Sequence, residues 1–396
     1  MKVLLIDEEV PWPINTGKKI RTYQLVKRLQ ERHEITYLCY GEEGAVLPGC
    51  NNVTLVTLPS TVLPQKGARF YWALLCNLLS IKPYIVVRHY SKALAGKAQS
   101  LLQKGGYNLL HCEWTPYTEN IRNALGVIPT VLSAHNVEAQ IWERYFLTEK
   151  NLFKKLYIYP QWRKLVHYEK NFSTAYSTVV TVSENDRQVF VEEYGCSTVT
   201  VVSNGVDETY FNPDKAPVVS GNMVFTGSMD WRPNQDGVHY FIEHVFPMIR
   251  ARIPSATFTV VGRNPPQWLI DAAKATSGVG LTGTVDDVRP FIAKSAAYIV
   301  PLRVGGGSRL KILEAWAMEK VVISTTLGAE GLAADDGSNI LLRDTPQAMA
   351  ETACQVLQNQ EQFTSLGKAG RQVVERHYTW DALAGKMHDV WESAGG

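Results

Sequence analysis

Short apolar segments recur along the whole chain, separated by longer stretches that mix apolar and polar residues. The segments are rich in Val, Ile and Leu at consecutive positions, a pattern typical of parallel strands buried on both faces. The mixed stretches, such as 20–31, predict helices and therefore right-handed β-α-β units. The predicted strands are 3–6, 35–39, 53–58, 109–111, 130–133, 178–182 and 199–202 in the first half and 223–225, 257–261, 279–281, 298–301, 321–324 and 340–342 in the second.

The series of strands and helices restarts near residue 221. The segment 211–221 contains Pro213, Pro217 and small polar residues, which are typical of a linker between domains. A chain of 396 residues is also longer than one hydrophobic core usually serves. The pattern therefore predicts an α/β protein of two domains, with a last helix at 380–391.

Composition and charge indicate a globular protein that does not bind nucleic acid. Apolar residues make up 45% of the chain and charged residues 20%, and the net charge is only +2, so no basic field covers the protein. The six cysteines lack a Cys-x-x-Cys pair, which favours free thiols in a reducing compartment. The initial MKVLLIDEEV is too short for a signal peptide, and no stretch has the length of a membrane span. We expect a cytoplasmic protein.

Two regions, 64–98 and 142–172, depart from this pattern because they mix aromatic residues with Lys and Arg. Phe70, Tyr71 and Trp72 lie in the first region. This composition is compatible with peripheral contact with an anionic membrane, at the inner face of the plasma membrane. The alternative is that the aromatic side chains line the core and an acceptor site, and the sequence leaves both interpretations open.

Residues 278–283 read GVGLTG and match the Gly-x-Gly-x-x-Gly pattern of dinucleotide-binding loops. Such a loop has to follow a strand and begin a helix, because the helix N-terminus receives the pyrophosphate. Here the glycines flank the predicted strand 279–281, and a helical segment precedes them. We interpret them as turn residues and expect no dinucleotide cofactor.

The segment after the predicted strand 298–301 has the arrangement of a phosphate-binding site. Glycines let a backbone approach a ligand closely, and a helix start offers free N–H groups and a partial positive charge. An ordinary tight turn is the alternative, although it needs fewer glycines. The loop before the predicted helix 309–318 consists of Gly305, Gly306, Gly307 and Ser308, the last a candidate N-cap.

Lys311 and Glu314 follow this loop on the predicted helix. They are three positions apart and share a face with Gly307. A cation and a carboxylate beside a phosphate-binding loop indicate a ligand site. The alternative is a surface ion pair, which is common and contributes little.

The predicted strands 130–133 and 109–111 also end in polar residues. His135 and Asn136 follow the first of them, and Glu113 follows the second. Open α/β sheets bind ligands at the carboxyl ends of their strands. We therefore expect His135 and Asn136 to face a ligand and Glu113 to contact an acceptor. The alternatives are a structural histidine and a solvated carboxylate.

The segment PLRVGGGSRLKILEAWAMEKVVIST, 301–325, resembles the donor-site segment of the family 4 retaining glycosyltransferases of GT-B fold. Strings elsewhere support this resemblance in matching order: NTGKKIR, SAHNVEA, TVSEND, VVSNGVDETYF, FTGSMDWRPN, LTGTVDDVRPFIAKS and GAEGL. The resemblance implies two Rossmann-like domains facing across a cleft, with a C-terminal helix that crosses back to the first domain. Residues 1–210 with 379–396 would bind the acceptor, and 211–378 the sugar nucleotide.

The resemblance also implies roles on the donor side. Glu314 matches the second of two family glutamates, which binds the nucleotide ribose, whereas Gly306 stands in place of the first. Gly227 begins a donor-binding loop. Arg232 matches an arginine that holds the diphosphate, and Asn234 stands where the family often has a lysine.

We infer that Arg309 and Lys311 supply the missing cation. Glu330 resembles a further donor contact of the family. On the acceptor side, the resemblance places Gly17 and Asn136 near the ligand and implies that His135 hydrogen-bonds the transferred sugar.

The activity implied is a retaining, front-face transfer of a sugar from a nucleotide-diphosphate donor to a glycan, lipid-linked or small-molecule hydroxyl, in polysaccharide biosynthesis. The catalytic residues would be His135, Lys311, Arg309 and Arg232. No Asp-x-Asp occurs, so we expect no metal and no cofactor besides the donor substrate. Two alternatives stay open: a sugar-nucleotide 2-epimerase of the same fold, and a non-catalytic sugar-nucleotide-binding partner in glycan assembly.

Overall fold

The computed structural model describes residues 1–62, 67–149, 151–213, 217–304 and 309–396. The chain divides into two compact units, Met1–Ser203 with Leu383–Gly396 and Asn204–Ala382. Each unit contains one parallel sheet, so the predicted α/β class is confirmed. The domain limits predicted from the sequence, 210/211 and 378/379, stay predictions.

Seven parallel strands form the sheet of the first unit: β1 (Lys2–Glu9), β2 (Glu34–Tyr40), β3 (Val53–Leu58), β4 (Leu109–Cys112), β5 (Thr130–Ala134), β6 (Thr178–Thr181) and β7 (Val199–Val201). Their order is β3-β2-β1-β4-β5-β6-β7. β1 lies between β2 and β4, so Leu5 is paired with both Tyr37 and His111. Every residue of β4, β5 and β6 is buried, as expected for central strands covered on both faces.

Helices connect these strands and cover the sheet. Thr16 caps the first helix by accepting a hydrogen bond from the N–H of Lys19 at 3.3 Å, and Leu25, Val26 and Leu29 form its buried face. A 3₁₀ segment, Thr115–Ala124, follows β4. The helices are α1 (Gly17–Leu29), α2 (Ala68–Leu78), α3 (Tyr84–His89), α4 (Lys92–Lys104), α5 (Glu138–Thr148), α6 (Leu152–Ser173) and α7 (Glu184–Gln188).

Six parallel strands form the sheet of the second unit: β8 (Asn222–Thr226), β9 (Thr257–Val261), β10 (Val279–Leu281), β11 (Ala297–Val300), β12 (Val322–Ser324) and β13 (Leu341–Leu342). Their order is β10-β9-β8-β11-β12-β13. Phe225, Phe241, Phe258 and Trp316 are fully buried in the core around this sheet.

The helices of the second unit are α8 (Arg232–Tyr240), α9 (Phe246–Arg252), α10 (Gln267–Ala275), α11 (Arg289–Ala293), α12 (Leu310–Ala317), α13 (Pro346–Gln358) and α14 (Gln360–His377). The last helix, α15 (Trp380–Gly395), continues into the first unit from Leu383 onward. No helix in the described ranges is both long and apolar enough to cross a bilayer.

All the strands predicted from the apolar segments are present, with ends that differ by one or a few residues. The interpretation of the GVGLTG segment is also confirmed. Gly278 and Gly283, with φ angles of +88° and +71°, lie in turns on either side of β10, and α10 precedes them. No helix begins at these glycines, so the dinucleotide-binding arrangement is absent from this segment.

Gly367 provides a test of the packing in the second unit. It lies within α14, where an added Cβ would meet the backbone carbonyl of Glu319. Because backbone cannot move aside as a side chain can, Gly367→Ala should lower the free energy of unfolding by about 1–3 kcal/mol. Urea unfolding followed by circular dichroism measures the change.

Gly96 is the matched control, since it lies within α4 and an added Cβ would have nothing within 4 Å. Gly96→Ala should raise the free energy of unfolding by about 0.5–1 kcal/mol, because alanine favours the helix. Equal stabilities of the two variants would contradict the packing described for α14.

Candidate functional site

The second unit places several predicted site residues at one edge of its sheet. β8 ends before Gly227, and its neighbour β11 ends at Val300, from where the chain continues to α12. Neighbouring parallel strands end at a common edge, where open α/β sheets bind ligands. The predicted glycine loop that leads into α12 lies outside the described residues: Gly305, Gly306, Gly307 and Ser308.

Lys311 reaches from α12 to the residues that follow β8. Its Nζ donates a hydrogen bond to Oδ1 of Asn234 at 2.6 Å, and Nδ2 of Asn234 donates to the carbonyl of Ser228 at 2.8 Å. A Cβ on Gly227 would lie 2.8 Å from Nδ2 of Asn234 and 3.0 Å from Nζ of Lys311, and the φ of Gly227 is +154°. Glycine is therefore required at this position, and Gly227, Asn234 and Lys311 form one cluster.

Burial determines the charge of Lys311 and Glu314. It lowers the pKa of Lys311 to about 7, although the carboxylate of Glu314 opposes this shift. It raises the pKa of Glu314 to about 7, against the charge of Lys311. The pair is thus not the exposed ion pair that the sequence left open as an alternative. Both groups change charge near neutral pH, which is common at functional sites.

Arg309 points to a different part of the second unit. Its side chain is 6% exposed, and its Nη2 donates to the carbonyl of Leu327 at 2.7 Å and lies 3.3 Å from Oε2 of Glu330. Arg309 thus joins the start of α12 to the turn after β12. Arg232, the first residue of α8, is exposed. The structure pairs Arg309 with Glu330, and their contact with a donor stays a prediction.

His135 and Glu113 form a hydrogen-bonded pair in the first unit. His135 follows β5, and its Nε2 lies 2.9 Å from Oε2 of Glu113. The second carboxylate oxygen, Oε1, lies 3.2 Å from Nε2 of His111 on β4. Burial opposes ionisation of Glu113, but hydrogen bonds from the two histidines hold its pKa well below the ordinary value.

The role predicted for Glu113 changes accordingly. The sequence predicted contact with an acceptor, but the side chain is only 3% exposed and each oxygen faces a histidine. The structure therefore assigns the carboxylate of Glu113 to the orientation of His135. Asn136 is half-buried beside His135, and Gly17 is the first residue of α1. Both residues follow the carboxyl ends of parallel strands of this sheet.

Glu169 fixes the segment that follows His135. This fully buried residue of α6 accepts hydrogen bonds from the backbone N–H groups of Glu138 and Ala139, both at 2.9 Å. These are the first two residues of α5, so Glu169 satisfies N–H groups that a helix start leaves free. Burial raises the pKa of Glu169 to about 8. The position of His135 is thereby coupled to α5 and α6.

Sequence reasoning missed a second buried ionic group beside this pair. Nζ of Lys18 lies 2.6 Å from Oδ1 of Asp7, and the ring of Trp114 lies 5.3 Å from the same Nζ. Asp7 is 2% exposed and also accepts a hydrogen bond from the hydroxyl of Tyr37 at 2.6 Å. The positions of these residues could have identified them, since Asp7 lies near the carboxyl end of β1 and Lys18 lies in the first turn of α1.

One group in the described part of the chain has the residue types and spacing to hold a metal ion. His33 precedes β2, and His388 and Glu392 lie one turn apart on α15. The ligand atoms lie within 4.8 Å of one another. Nε2 of His33 is also 2.8 Å from Nδ1 of His388, and Nδ1 of His33 is 3.5 Å from the amine of Met1. Hydrogen bonds therefore account for this group without a metal.

Two protein families match consecutive parts of the chain. The family described as Glycosyltransferase Family 4 matches residues 87–210, and the family described as Glycosyl transferases group 1 matches residues 220–359. An uncharacterized 44.6 kDa protein in the cps region of Klebsiella pneumoniae is 21% identical over 350 residues, covering 86% of this chain and 87% of that protein. A GDP-mannose-dependent alpha-(1-6)-phosphatidylinositol monomannoside mannosyltransferase of Mycobacterium tuberculosis is 25% identical over 236 residues, 53% of this chain and 60% of that protein.

Solved structures resemble the chain over nearly its full length. Sucrose-phosphate synthase from Thermosynechococcus elongatus has a TM-score of 0.71 at 15% identity, covering 99% of this chain and 98% of that one. Anabaena HepE in complex with UDP and glucose has a TM-score of 0.65 at 14% identity, covering 99% of this chain and 100% of that one. At these identities, the likeness shows a shared fold.

Proposed function

With a Glycosyltransferase Family 4 domain in its first half and a Glycosyl transferases group 1 domain in its second, the chain is a glycosyltransferase of GT-B fold, and we propose that it transfers a sugar from a nucleotide-diphosphate donor to the hydroxyl of a glycan or lipid-linked acceptor. We further propose that the transfer retains the anomeric configuration and needs no metal ion. The donor binds the second unit, and the first unit supplies His135.

The ammonium group of Lys311 is the observation that carries this proposal. It lies 2.6 Å from the amide oxygen of Asn234, the residue that stands where the resembling family has a lysine. Lys311 thus brings a cation to that position from another element, beside Gly227, whose missing Cβ leaves room for both side chains. A diphosphate needs such a cation most when it leaves, because its negative charge increases in the transition state. We propose that Arg232, Arg309 and the N-terminus of α12 assist.

Known relatives support a nucleotide-diphosphate sugar as the donor class. HepE has been solved with UDP-glucose, and the mycobacterial relative is named as GDP-mannose-dependent. These donors differ in base and sugar but share the ribose and diphosphate. In this proposal Glu314 accepts hydrogen bonds from the ribose, and Glu330 belongs to the same donor site.

His135 is proposed to hydrogen-bond the transferred sugar. Its partner Glu113 is buried with a histidine at each carboxylate oxygen, so in this proposal it orients the imidazole rather than attacking the donor. The transfer then proceeds on one face of the sugar, with the acceptor hydroxyl entering on the side where the diphosphate leaves.

Transfer assays with purified protein test this function directly. UDP-, GDP-, ADP- and dTDP-sugars are screened first by thermal shift, because a bound donor raises the apparent stability. With the donor that binds, we expect retained-configuration product that is unaffected by EDTA. His135→Ala should lower turnover by about 100-fold, within the range of a group acting on the transition state.

His167→Ala is the matched control, since His167 is an exposed histidine of the same unit. Chelator-sensitive turnover would overturn the metal-independent mechanism. Donor binding without transfer to any glycan or lipid acceptor would favour a non-catalytic partner, and release of an epimerised free sugar would favour a 2-epimerase.

The pH dependence of nucleoside-diphosphate binding tests the role of Lys311. Because its pKa is lowered to about 7, its cationic form is lost as the pH rises through 7. Arginine stays charged throughout. The affinity of the wild type for UDP or GDP, divided by that of Lys311→Arg, should therefore fall about tenfold from pH 6 to pH 8. Isothermal titration calorimetry measures both affinities.

The ratio is used because the nucleotide itself titrates in the same range and affects both proteins alike. Lys274→Arg, at an exposed position of α10, is the control and should give a constant ratio. A constant ratio for Lys311→Arg as well would remove Lys311 from the diphosphate site.

Helix α2 presents an apolar face to solvent. Its only buried residue is Asn77, whereas Tyr71, Trp72 and Leu75 are each more than half exposed and lie at helical spacing. Leu79 and Ile81 after the helix are 93% and 88% exposed. The one fully buried residue of α2 is therefore polar, whereas several of its large apolar side chains face solvent.

α6 also presents apolar side chains to solvent. Leu152, Phe153 and Leu156 in its first turns are each more than 70% exposed. The two helices are joined, because Nε2 of Gln161 donates to Oδ1 of Asn77 at 2.8 Å. We define the apolar surface as these exposed residues of α2, of the segment 79–81 and of α6.

The part of the sequence that contains α2 carries only positive charge over a long stretch. Residues 44–112 contain seven Lys or Arg and no Asp or Glu. Apolar side chains with basic neighbours bind the interface of an anionic bilayer. We propose that the apolar surface contacts the cytoplasmic face of an anionic membrane, which brings the enzyme to a lipid-linked acceptor.

Vesicle sedimentation tests this contact. The protein should pellet with phosphatidylglycerol-containing vesicles more than with pure phosphatidylcholine. Trp72→Ser combined with Leu79→Ser should weaken binding by about tenfold or more, because two apolar side chains no longer enter the bilayer. Trp268→Ser with Val218→Ser removes one exposed Trp and one exposed aliphatic residue from the second unit and should not change binding. Equal binding of both double variants would exclude the apolar surface as the site of membrane contact.

A further inference from the structure

The C-terminal helix hydrogen-bonds into the network that holds His135. Trp391 of α15 is fully buried, and its Nε1 donates to Nδ1 of His111 at 2.8 Å. An indole N–H can only donate a hydrogen bond. Nδ1 of His111 must therefore accept and carries no proton.

This fixes the tautomer of His111. The ring is neutral, and its single proton is on Nε2, which lies 3.2 Å from Oε1 of Glu113 and 3.0 Å from Oγ of Ser133. His111 can consequently donate from Nε2 to Glu113. The hydrogen bond from Trp391 favours this tautomer, because it requires a free lone pair on Nδ1.

The hydrogen bonds of His135 identify the protonated nitrogen of its ring in the same way. Its Nε2 lies 2.9 Å from both Oε2 and the backbone carbonyl of Glu113. Both of these atoms are acceptors, since the carboxylate is ionised, so Nε2 of His135 carries the proton. In the neutral form of the ring, Nδ1 then has no proton and can accept a hydrogen bond.

We propose that Trp391 and His111 are positioning residues that act through Glu113, and that they hold His135 with Nδ1 as the acceptor for a hydroxyl of the transferred sugar. This inference rests on the proposed function for the sugar contact, whereas the tautomer of His111 follows from the hydrogen bonds alone. Because α15 supplies Trp391, the C-terminal helix completes the hydrogen-bonded support of His135.

The other charged groups near this network do not replace Trp391. The charges of Lys18 and Arg21 act on Glu113, and Lys18 is paired with Asp7. The ring of His33 packs edge-on against Trp391 with 5.2 Å between centres. In the described part of the chain, Nδ1 of His111 receives its hydrogen bond from Trp391.

Trp391→Phe tests the inference because it keeps an aromatic ring but removes the N–H. In protein labelled with ¹⁵N-histidine, the wild-type His111 should show the Nε2–H form. In Trp391→Phe it should populate both tautomers. Turnover should fall about tenfold, as expected for one lost hydrogen bond, with an unchanged KM for the donor. Trp380→Phe, which also replaces a buried Trp of α15, should change neither signal nor turnover.

A pair of His111 variants provides the same test if Trp391→Phe fails to fold. His111→Gln retains an acceptor for Trp391 and an N–H donor for Glu113, so its turnover should stay near that of the wild type. His111→Leu retains neither and should lose about tenfold. Equal turnover of these two variants would overturn the positioning role.

The outcomes separate this inference from the proposed function. An unchanged His111 tautomer in Trp391→Phe would overturn the inference even in an active transferase. A changed tautomer with unchanged turnover would also overturn the positioning role. If the wild type transfers no sugar, the proposed function fails, while the ¹⁵N spectra still decide whether Trp391 fixes His111.

Discussion

Parallel pairing of the strands is the constraint on which the rest of this structure depends. Consecutive parallel strands need a crossover, and the crossover helices cover both faces of each sheet. All carboxyl ends then lie along one edge in each unit, so residues distant in sequence are delivered to a common place. Gly227 and α12 in the second unit, and Glu113 and His135 in the first, meet because they follow neighbouring strands.

Burial of charge is the second organising feature, since a charge removed from water has to be compensated. Glu113 meets this requirement with two histidines. Glu169 accepts hydrogen bonds from the N–H groups at the start of α5, but burial outweighs them and raises its pKa to about 8. Lys311 and Glu314 meet it only partly, which is why the pKa values of both move to about 7. Glu113 and Glu169 fix the positions of the groups that they contact. In the proposed function, the charges of Lys311 and Glu314 change when an anionic ligand binds.

In the proposed donor site of the second unit, a cation comes from a different helix from the one on which the resemblance leads us to expect it. Asn234 stands where the family often has a lysine, and Nζ of Lys311 on α12 lies 2.6 Å from its Oδ1. Arg309, in contrast, contacts Leu327 and Glu330 and so joins the start of α12 to the turn after β12. The two cations that the sequence analysis grouped together therefore have different surroundings. Lys311 is the one that contacts Asn234, the position of the missing lysine.

The sequence by itself determined the strands, the two-sheet architecture and the correct interpretation of GVGLTG, because a strand buried on both faces leaves a local apolar signal. It also identified His135, Lys311 and Glu314 as candidates from their places at strand ends and on one helix face. Their partners were decided by the tertiary structure alone. Lys311 and Asn234 are 77 positions apart, and Trp391 and His111 are 280 apart.

Contacts of this kind depend on how a helix is rotated over its sheet, which no local pattern records. The same reason explains Glu113, whose position at a strand end suggested an acceptor contact although neighbouring elements bury it. It also explains α2, because a helical apolar stripe is equally visible in a sequence whether it faces the core or the solvent. Only the packing of Asn77 against α6 decided that this stripe lies outside.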